Sequence, residues 1–359
     1  MAARKEKRAS PFKVKLAIAI MAAAIIIFSG VFEGVILPGL NAWHASWNAG
    51  NPENTIPEQC GPLRIYIINV SQADSILIIT PQNKTILIDA GSKTKPNSST
   101  NSVALLHSMN ITRIDHLIAS HYHEDHIGGM PLIFSNFEIG KVYDNGNCGN
   151  YSSGVQRDFQ LYASHYEFIH ISQDTDLQTD PCLAESRLIA PYAPPGRCFG
   201  SSNENDNSLL LRIVYGNTSF LFTGDCEEKC EEELLQKGES IRADFLKAGH
   251  HGSATSSTPG FLSAVSASFY AISADKDRSV SDGYFHPRQA PLENIHSRGT
   301  NANSLFRTDL NGNIEAVSDG SRIQIHPYAS APLCQLFSGY SASNLSSYGP
   351  IPALYSQCN

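Results

Sequence analysis

The sequence lacks any run of basic residues beyond Lys15. The 359 residues include 26 Lys and Arg against 34 Asp and Glu, a net charge of −8, and six of the basic residues lie within the first 40 positions. Proteins that grip a nucleic-acid backbone without sequence preference do so through many Lys and Arg side chains. The composition therefore excludes a protein that binds nucleic acid through a general excess of positive charge. Any polyanionic substrate would have to be held by a localised site.

Cysteines in Cys-x-x-Cys pairs are also missing, although there are eight cysteines. This disfavours a sulfur-ligated structural zinc site and favours disulfides. Cys334 and Cys358 bracket a tail rich in Ser, Gly and Pro, and they are predicted to pair. Cys226 and Cys230 are four positions apart on a predicted helix, a poor geometry for a bridge, so one of them is expected to pair elsewhere. No internal repeat of 20–50 residues is present.

Long apolar runs are scarce, and the single one lies near the N-terminus. It covers residues 16–37, follows six basic residues, and reaches the lower limit for a membrane-spanning helix. We predict an uncleaved signal anchor, with a cleaved signal peptide as the alternative. The positive-inside rule then gives a single-pass protein of the cell membrane with its catalytic domain extracytoplasmic, or a secreted protein if the anchor is cleaved. The predicted divisions are a basic cytoplasmic tail (1–15), the anchor (16–37), a linker (38–60), a folded domain (61–328) and a C-terminal tail (329–359).

Within the folded domain, short apolar segments alternate with turns and with helical patterns. Strands are predicted at 63–70, 75–79, 85–91, 114–119, 208–214 and 218–222, and helices at 101–110 and 226–237. Two halves that each run from strands to helices predict an α+β fold of two packed sheets with helices outside. Residues 141–200 carry three cysteines and no strong period, which predicts an insertion over the site, either a lid that shapes the substrate pocket or a surface loop.

The strongest chemical signal is the run of residues 121–126, which holds His121, His123, Asp125 and His126. It follows a short apolar segment predicted to be a buried strand, and functional sites commonly lie at such strand ends. Neutral imidazoles suit zinc, manganese or iron. His121 and His123 can point the same way on an extended chain, whereas Asp125 and His126 turn towards a second centre. The run therefore indicates two adjacent metals, which an ordinary polar loop would not need.

Two further predicted strands end in side chains that bind metals. Thr223-Gly224-Asp225 places a carboxylate at a strand end, where it could bridge two metals. His250 and His251 follow another apolar segment, and Gly249 and Gly252 flank them. One of these histidines is predicted to ligate, and the other to carry protons or to support a ligand.

These motifs resemble the metallo-β-lactamase superfamily, and within it the hydrolase domain of ComEC-type DNA-uptake proteins. The resemblance implies a four-layer αββα sandwich, which the predicted anchor would precede as a transmembrane helix. The matching motifs are found at residues 69–75, 87–91, 120–129, 205–211, 223–225, 250–253, 284–287 and 307–314.

The resemblance also implies two divalent metal ions, Zn or Mn. The first would be held by His121 and His123, the second by Asp125, His126 and His250 or His251, with Asp225 as the bridge. Asp74 and Asp89 are expected to order the loops beneath the metals. The residues expected to act in catalysis are Asp125, His251, His286 and Lys247, the last two with a packing role as the alternative. The residues expected to bind substrate are Asn207, Ser208, Ser253 and Ser256.

One departure from the family pattern concerns the first metal. Its usual third histidine is absent between residues 131 and 222, where only His165 and His170 occur. The first site is therefore expected to be weaker, or filled only with substrate. Another departure is the lack of the multi-span channel of full ComEC proteins, which argues against a role as the channel.

The function implied is that of an exported, membrane-anchored hydrolase that cleaves phosphodiester bonds with metal-activated water. Its substrate would be a phosphodiester such as single-stranded DNA, and the membrane would be contacted through the N-terminal helix, while protein partners are unknown. One alternative is a hydrolase of a small ester, lactone or β-lactam. The other is a non-catalytic surface binding protein on the same scaffold.

Overall fold

The structure is a computed structural model that describes residues 56–331 except Pro96, 148–151, 192–202, Glu239 and 276–284. The predicted tail, the anchor and most of the linker lie outside the described residues, as does the predicted Cys334–Cys358 pair. Among the residues described, no helix has the length and apolar character to cross a membrane.

The described chain alternates short strands with short helices. The strands are β1 (Leu63–Ile67), β2 (Ile76–Ile79), β3 (Thr85–Ile88), β4 (Arg113–Ile118), β5 (Glu138–Asp144), β6 (Glu167–His170), β7 (Thr175–Asp176), β8 (Glu185–Ile189), β9 (Leu210–Tyr215), β10 (Thr218–Phe222), β11 (Phe245–Lys247), β12 (Phe269–Ile272), β13 (Leu305–Arg307), β14 (Ile314–Ser318) and β15 (Ile323–Pro327). The helices are α1 (Ser98–Ser108), α2 (Glu124–Ile127), α3 (Met130–Asn136), α4 (Gly154–Ala163), α5 (Glu228–Lys237), α6 (Pro259–Val265), α7 (Gln289–His296) and α8 (Thr308–Asn311).

The strands form two sheets within the described ranges. The first has eight strands in the order β15-β14-β1-β2-β3-β4-β5-β6, and the second has seven in the order β13-β12-β11-β10-β9-β8-β7. Strands β3 to β6 are parallel to one another, as are β10 to β13. Side chains at the carboxyl ends of parallel strands meet at one edge of a sheet, so each sheet has an edge where functional residues can gather.

Residues on the two faces of each sheet separate into three apolar layers. In β1, Leu63, Ile65 and Ile67 pack with Phe220 and Phe245 of the second sheet, whereas the intervening positions face the other way. This alternation is the period of a strand with one face in the core. Side chains of α1, α3 and α4 cover the outer face of the first sheet, and those of α5, α6 and α7 cover the outer face of the second. The described residues thus form two packed sheets with helices outside, as predicted.

The segment 141–200 differs from its predicted role as an insertion. Its described part completes β5, adds β6 to the first sheet and adds α4 to the helices that cover that sheet. It also supplies β7 and β8 to the second sheet. This part is therefore integral to both sheets. Strands of two to five residues contain too few alternating apolar and polar positions for a period to be recognised. For this reason the segment shows no strong period in the sequence.

Two disulfides lie within the described chain. Cys60 bonds to Cys182 with a Cα separation of 6.0 Å, and Cys226 bonds to Cys230 with a Cα separation of 5.4 Å. The expectation that Cys226 or Cys230 would pair elsewhere is therefore wrong. Helix α5 begins at Glu228, and Cys226 lies in the non-helical segment ahead of it, where its side chain can turn back towards Cys230.

Candidate metal centre

The candidate ligands gather where parallel strands of both sheets end. His121, His123 and His126 follow β4, and Asp89 follows the neighbouring strand β3. From the second sheet, Asp225 follows β10, and His250 and His251 follow the neighbouring β11. The sequence-predicted metal ligands are therefore brought to one place by the ends of four strands.

The backbone is unusual at the loop after β11. His250 and His251 have φ of 46° and 53°, the left-handed region that non-glycine residues seldom occupy. Gly249 precedes them, and a Cβ at that position would lie 2.5 Å from the carbonyl oxygen of Cys226. Strained backbone of this kind is concentrated at functional sites, where the surrounding structure holds it in place. The loop after β11 is thus built to aim two imidazoles in different directions.

Asp225 is the centre of the cluster. Its carboxylate is buried, and its Oδ2 lies 3.1 Å from Nε2 of His126, 3.6 Å from Nε2 of His251 and 3.9 Å from Nε2 of both His121 and His250. Nδ1 of His123 lies 3.1 Å from Nε2 of His121. Asp225 thus has imidazole nitrogens on several sides, and its role as a bridge between two metals stays a prediction.

Potential ligand atoms form overlapping groups within 4.8 Å of one another. One group contains His121, His126 and Asp225, and another contains Asp125, His126 and His251. His251 also joins Asp225 and Asp74 in a third group, whereas none of the groups found in the described residues includes His250. The arrangement therefore favours His251 as the metal ligand of the pair, a choice that the sequence left open.

His250 has a different partner. Its Nδ1 lies 2.6 Å from Oε1 of Glu227, and Glu227 in turn accepts hydrogen bonds from the side-chain amides of Asn203 and Asn205. Burial alone would lower the pKa of His250, but Asp225 and Glu227 outweigh this effect and raise it. The ring of His286 is centred 5.2 Å from that of His250. His250 is thus held through Nδ1 by Glu227, while its other ring nitrogen, Nε2, is the one nearer to Asp225.

A layer of polar groups supports the ligands from below. Asp89 Oδ2 lies 2.8 Å from Nδ1 of His126 and accepts a hydrogen bond from Oγ of Ser120. Asp74 Oδ2 accepts a hydrogen bond from Nζ of Lys247 at 2.6 Å, and both side chains are buried. Carboxylates that orient metal-binding imidazoles are a usual part of metal centres. Lys247 is enclosed beneath the cluster, which fits its alternative role in packing better than its expected role in catalysis.

Burial governs the charge state of the cluster. Burial lowers the pKa of His121 and His251 well below the ordinary value, so both imidazoles are neutral at physiological pH, as a metal ligand must be. Burial alone would raise the pKa of Asp225, but the surrounding histidines, His126 foremost, outweigh it and hold it well below its ordinary value. Asp225 is therefore ionised beside His126: burial alone would lower the pKa of His126, but Asp225 and Asp89 raise it well above the ordinary value.

This donor set fits divalent metal ions. It combines imidazole nitrogens with carboxylate oxygens, the mixture that zinc and manganese accept. Asp225 Oδ1 and His251 Nε2 are buried and have no hydrogen-bond partner among the described residues. Buried polar atoms are rarely left unpaired in folded proteins, and a metal ion bound between these two atoms would satisfy both.

The predicted substrate-binding residues lie close to the cluster but are occupied within the protein. Asn207 and Ser208 are fully buried, and Oγ of Ser208 accepts a hydrogen bond from the backbone nitrogen of Asp225. Oγ of Ser256 donates to the carbonyl oxygen of Gly249, and Oγ of Ser253 pairs with Oγ1 of Thr255. Their burial does not fit direct contact with substrate, and their bonds instead hold the loops that carry Asp225 and the histidine pair.

Sequence reasoning overlooked three charged residues of the site. Glu227 orients His250, Glu124 occupies the variable position of the His-x-His-x-Asp-His motif, and Lys95 places Nζ 3.7 Å from Oδ2 of Asp125. Glu227 lies two positions after Asp225, and that proximity to a predicted ligand was the one available signal. The position of Lys95 depends on a turn whose conformation the sequence does not reveal.

A buried carboxyl group fixes the segment that follows the histidine pair. Glu231 accepts hydrogen bonds from the backbone nitrogens of Ser257 and Thr258, at 2.6 and 2.9 Å, and from Oγ1 of Thr258. Burial raises its pKa from 4.5 to about 7. Between pH 4.5 and about pH 7 the folded protein binds more protons than the unfolded chain. The free energy of unfolding therefore falls as the pH rises through this range.

Replacing Glu231 with Gln, which stays neutral, is expected to remove this part of the pH dependence, up to about 3 kcal/mol. Urea unfolding of both proteins at about pH 5 and about pH 7.5 measures it. Glu232→Gln, at an exposed position on the same helix, is the matched control. An identical pH slope in wild type and Glu231→Gln would contradict the assignment.

Comparison with known proteins shows which proteins this chain is similar to. The sequence profile of the metallo-β-lactamase superfamily matches residues 68–197. The chain is 29% identical to competence protein ComA of Neisseria gonorrhoeae over 287 residues, which is 77% of this chain and 36% of that protein. It is 28% identical to ComE operon protein 3 of Bacillus subtilis (strain 168) over 274 residues, 70% of this chain and 32% of that protein. It is also 24% identical to endoribonuclease ysh1 of Emericella nidulans over 176 residues, 44% of this chain and 19% of that protein.

Residues 68–197 are thus similar to a domain of the metallo-β-lactamase superfamily, and the chain is similar to the ComEC-type proteins, as its motifs predicted. It spans about a third of the length of ComA and of ComE operon protein 3.

Proposed function

We propose that the protein is a metal-dependent hydrolase that cleaves phosphodiester bonds of nucleic acid with two divalent metal ions. The observation that carries the proposal is the pair of ligand groups that share His126, one with His121 and Asp225 and the other with Asp125 and His251. Adjacent groups of this kind suit two ions side by side. Bound there, such ions would polarise a phosphoryl oxygen and lower the pKa of a water molecule.

The side chains around the ligands have separate tasks in this proposal. Asp225 would be available to both ions, whereas His121, His126 and His251 would each offer one ring nitrogen to a single ion. Lys95, beside Asp125 and partly exposed, neutralises charge on a phosphate at the mouth of the site. His250 is held by Glu227 through Nδ1 and has Nε2 3.9 Å from Oδ2 of Asp225, where it could pass a proton to a leaving oxygen.

Names of relatives support the substrate class. One of them is named a competence protein and another an endoribonuclease, although each match covers only part of the relative. The exported location also belongs to the proposal, with residues 16–37 as a membrane anchor that places the hydrolase outside the cytoplasmic membrane.

A substrate screen tests the proposal. The full chain, loaded with Mn²⁺ or Zn²⁺, is given single-stranded DNA, single-stranded RNA, a lactone, an ester and a β-lactam. Turnover of the oligonucleotides is the expected result. Turnover of the small carbonyl substrates alone would overturn the phosphodiester assignment, and binding of less than about half an equivalent of metal would support a non-catalytic scaffold.

The two adjacent histidines are expected to respond differently to replacement. His251→Ala should lower bound metal by at least one equivalent, because His251 faces Asp125 and Asp225. His250→Ala should retain metal and lower kcat by about 100- to 10,000-fold, a loss typical of removing a proton donor. Metal analysis after dialysis, together with steady-state kinetics, separates the two effects. Loss of metal from His250→Ala alone would reverse the assignment.

A further inference from the structure

A tight turn is wrapped around Glu124, in the middle of the ligand motif. Its carboxylate accepts hydrogen bonds from the backbone nitrogens of Lys93 and Thr94, at 2.7 and 3.0 Å, and from Oγ of Ser92 and Oγ1 of Thr94. Four hydrogen bonds to one carboxylate fix the turn firmly against α2. Glu124 therefore positions the backbone of the turn that carries Lys93 and Lys95.

Those two lysines lie at opposite ends of α2. Lys95 is next to Asp125, at the mouth of the metal centre. Lys93 passes beside Gly128, where a Cβ would come within 2.7 Å of its backbone nitrogen, and its side chain extends outward to a surface groove. Two cations are thus spaced along one path that leads away from the metal centre, in a chain whose net charge is −8.

The groove has a volume of about 870 Å³ and lies between α3 and α4. Its walls include Lys93, Leu132, Leu161, Tyr162 and His165. The three apolar side chains are 39%, 65% and 39% exposed, in the order Leu132, Leu161, Tyr162. Exposed apolar groups that cluster around a depression beside an active site are a usual mark of a binding surface.

Tyr162 is the outer member of an aromatic stack. Its ring lies 5.7 Å from that of Phe134 at an angle of 8°, and Phe134 stacks on Tyr166 at 5.3 Å. The stack fixes the orientation of Tyr162 and leaves the exposed part of its side chain in the groove. A planar ring added there would continue the stack.

We propose that this groove binds the unpaired bases of a single-stranded nucleic acid whose phosphates contact Lys95 and Lys93. The inference rests on the proposed function and adds the path of the strand. Base stacking on an aromatic side chain next to cations is how proteins hold single strands, and it requires bases that are not paired. Lys93 has an exposed partner, Asp158, at 3.4 Å, and so weak a pair can be exchanged for a phosphate.

The test compares Tyr162→Ala with wild type on the metal-loaded full chain. The substrates are single-stranded DNA and RNA 12-mers of one sequence, their duplexes, and methyl p-nitrophenyl phosphate, which carries no base. Stacking contributes about 1–3 kcal/mol per base, so the kcat/KM for single strands relative to that for the small ester should fall about tenfold or more. Tyr162→Phe should restore the ratio, because it keeps the ring.

Leu235→Ala and Tyr328→Ala are matched controls, because both residues are exposed and lie outside the groove. An unchanged ratio for Tyr162→Ala, an equal fall in the controls, or a preference for duplexes would overturn the inference. If no phosphodiester is hydrolysed, the proposed function fails, and fluorescence anisotropy of a labelled 12-mer still tests the groove: tenfold weaker binding by Tyr162→Ala supports it, and equal binding refutes it.

Discussion

Asp225→Asn is expected to lose at least 100-fold in turnover and most of the bound metal. Oδ2 of Asp225 is 3.1 to 3.9 Å from four imidazole nitrogens, and its Oδ1 has no hydrogen-bond partner among the described residues. An amide keeps the shape but removes the negative charge that would neutralise two cations. Replacing groups that merely support a metal ligand already costs about 10- to 100-fold, so the central carboxylate should cost more.

Metal content, turnover and thermal unfolding of Asp225→Asn should be measured together. The unfolding transition should remain cooperative, which separates loss of metal from loss of fold. Asp319→Asn is the control, since Asp319 is an exposed residue near β15 and should leave metal content and turnover as they are. Retention of about two equivalents of metal by Asp225→Asn would show that Asp225 does not bridge.

The sequence predicted the meeting of ligands well, because each motif follows a strand and strand ends of one sheet lie together. His121 to His126, Asp225 and the histidine pair are local patterns, readable without knowing the fold. The four-layer arrangement followed from the same alternation of apolar segments, although the family resemblance supplied its name. The membrane anchor stays a prediction, because it lies outside the described residues.

What the sequence could not reveal is the direction of individual side chains. The choice between His250 and His251 depends on two consecutive left-handed backbone conformations, and no residue pattern announces them. In the sequence, Lys247 looks like an active-site cation. In the structure it lies on the buried strand β11, and its side chain points inward to Asp74. Glu227 and Lys95 acquire their partners through loops that are distant in sequence, and the only local signal was the position of Glu227 two residues after Asp225.

Lys247→Met is expected to lower the free energy of unfolding by about 3–5 kcal/mol, the usual cost of leaving one member of a buried ion pair alone. Nζ of Lys247 donates to Oδ2 of Asp74 at 2.6 Å, and both side chains are at most 1% exposed. Methionine fills a similar volume, so the loss should come from the uncompensated carboxylate rather than from a cavity.

The double variant Asp74→Asn/Lys247→Met separates stability from function. It should recover most of the lost stability, because no lone charge remains buried. Turnover of the double variant should be low. Oδ1 of Asp74 lies 3.7 Å from Nδ1 of His251, and the variant loses the negative charge of Asp74 that supports this ligand. Urea denaturation with a chelator present keeps metal affinity out of the free energy. Full recovery of turnover in the double variant would mean that the pair only fills space beneath the metal centre.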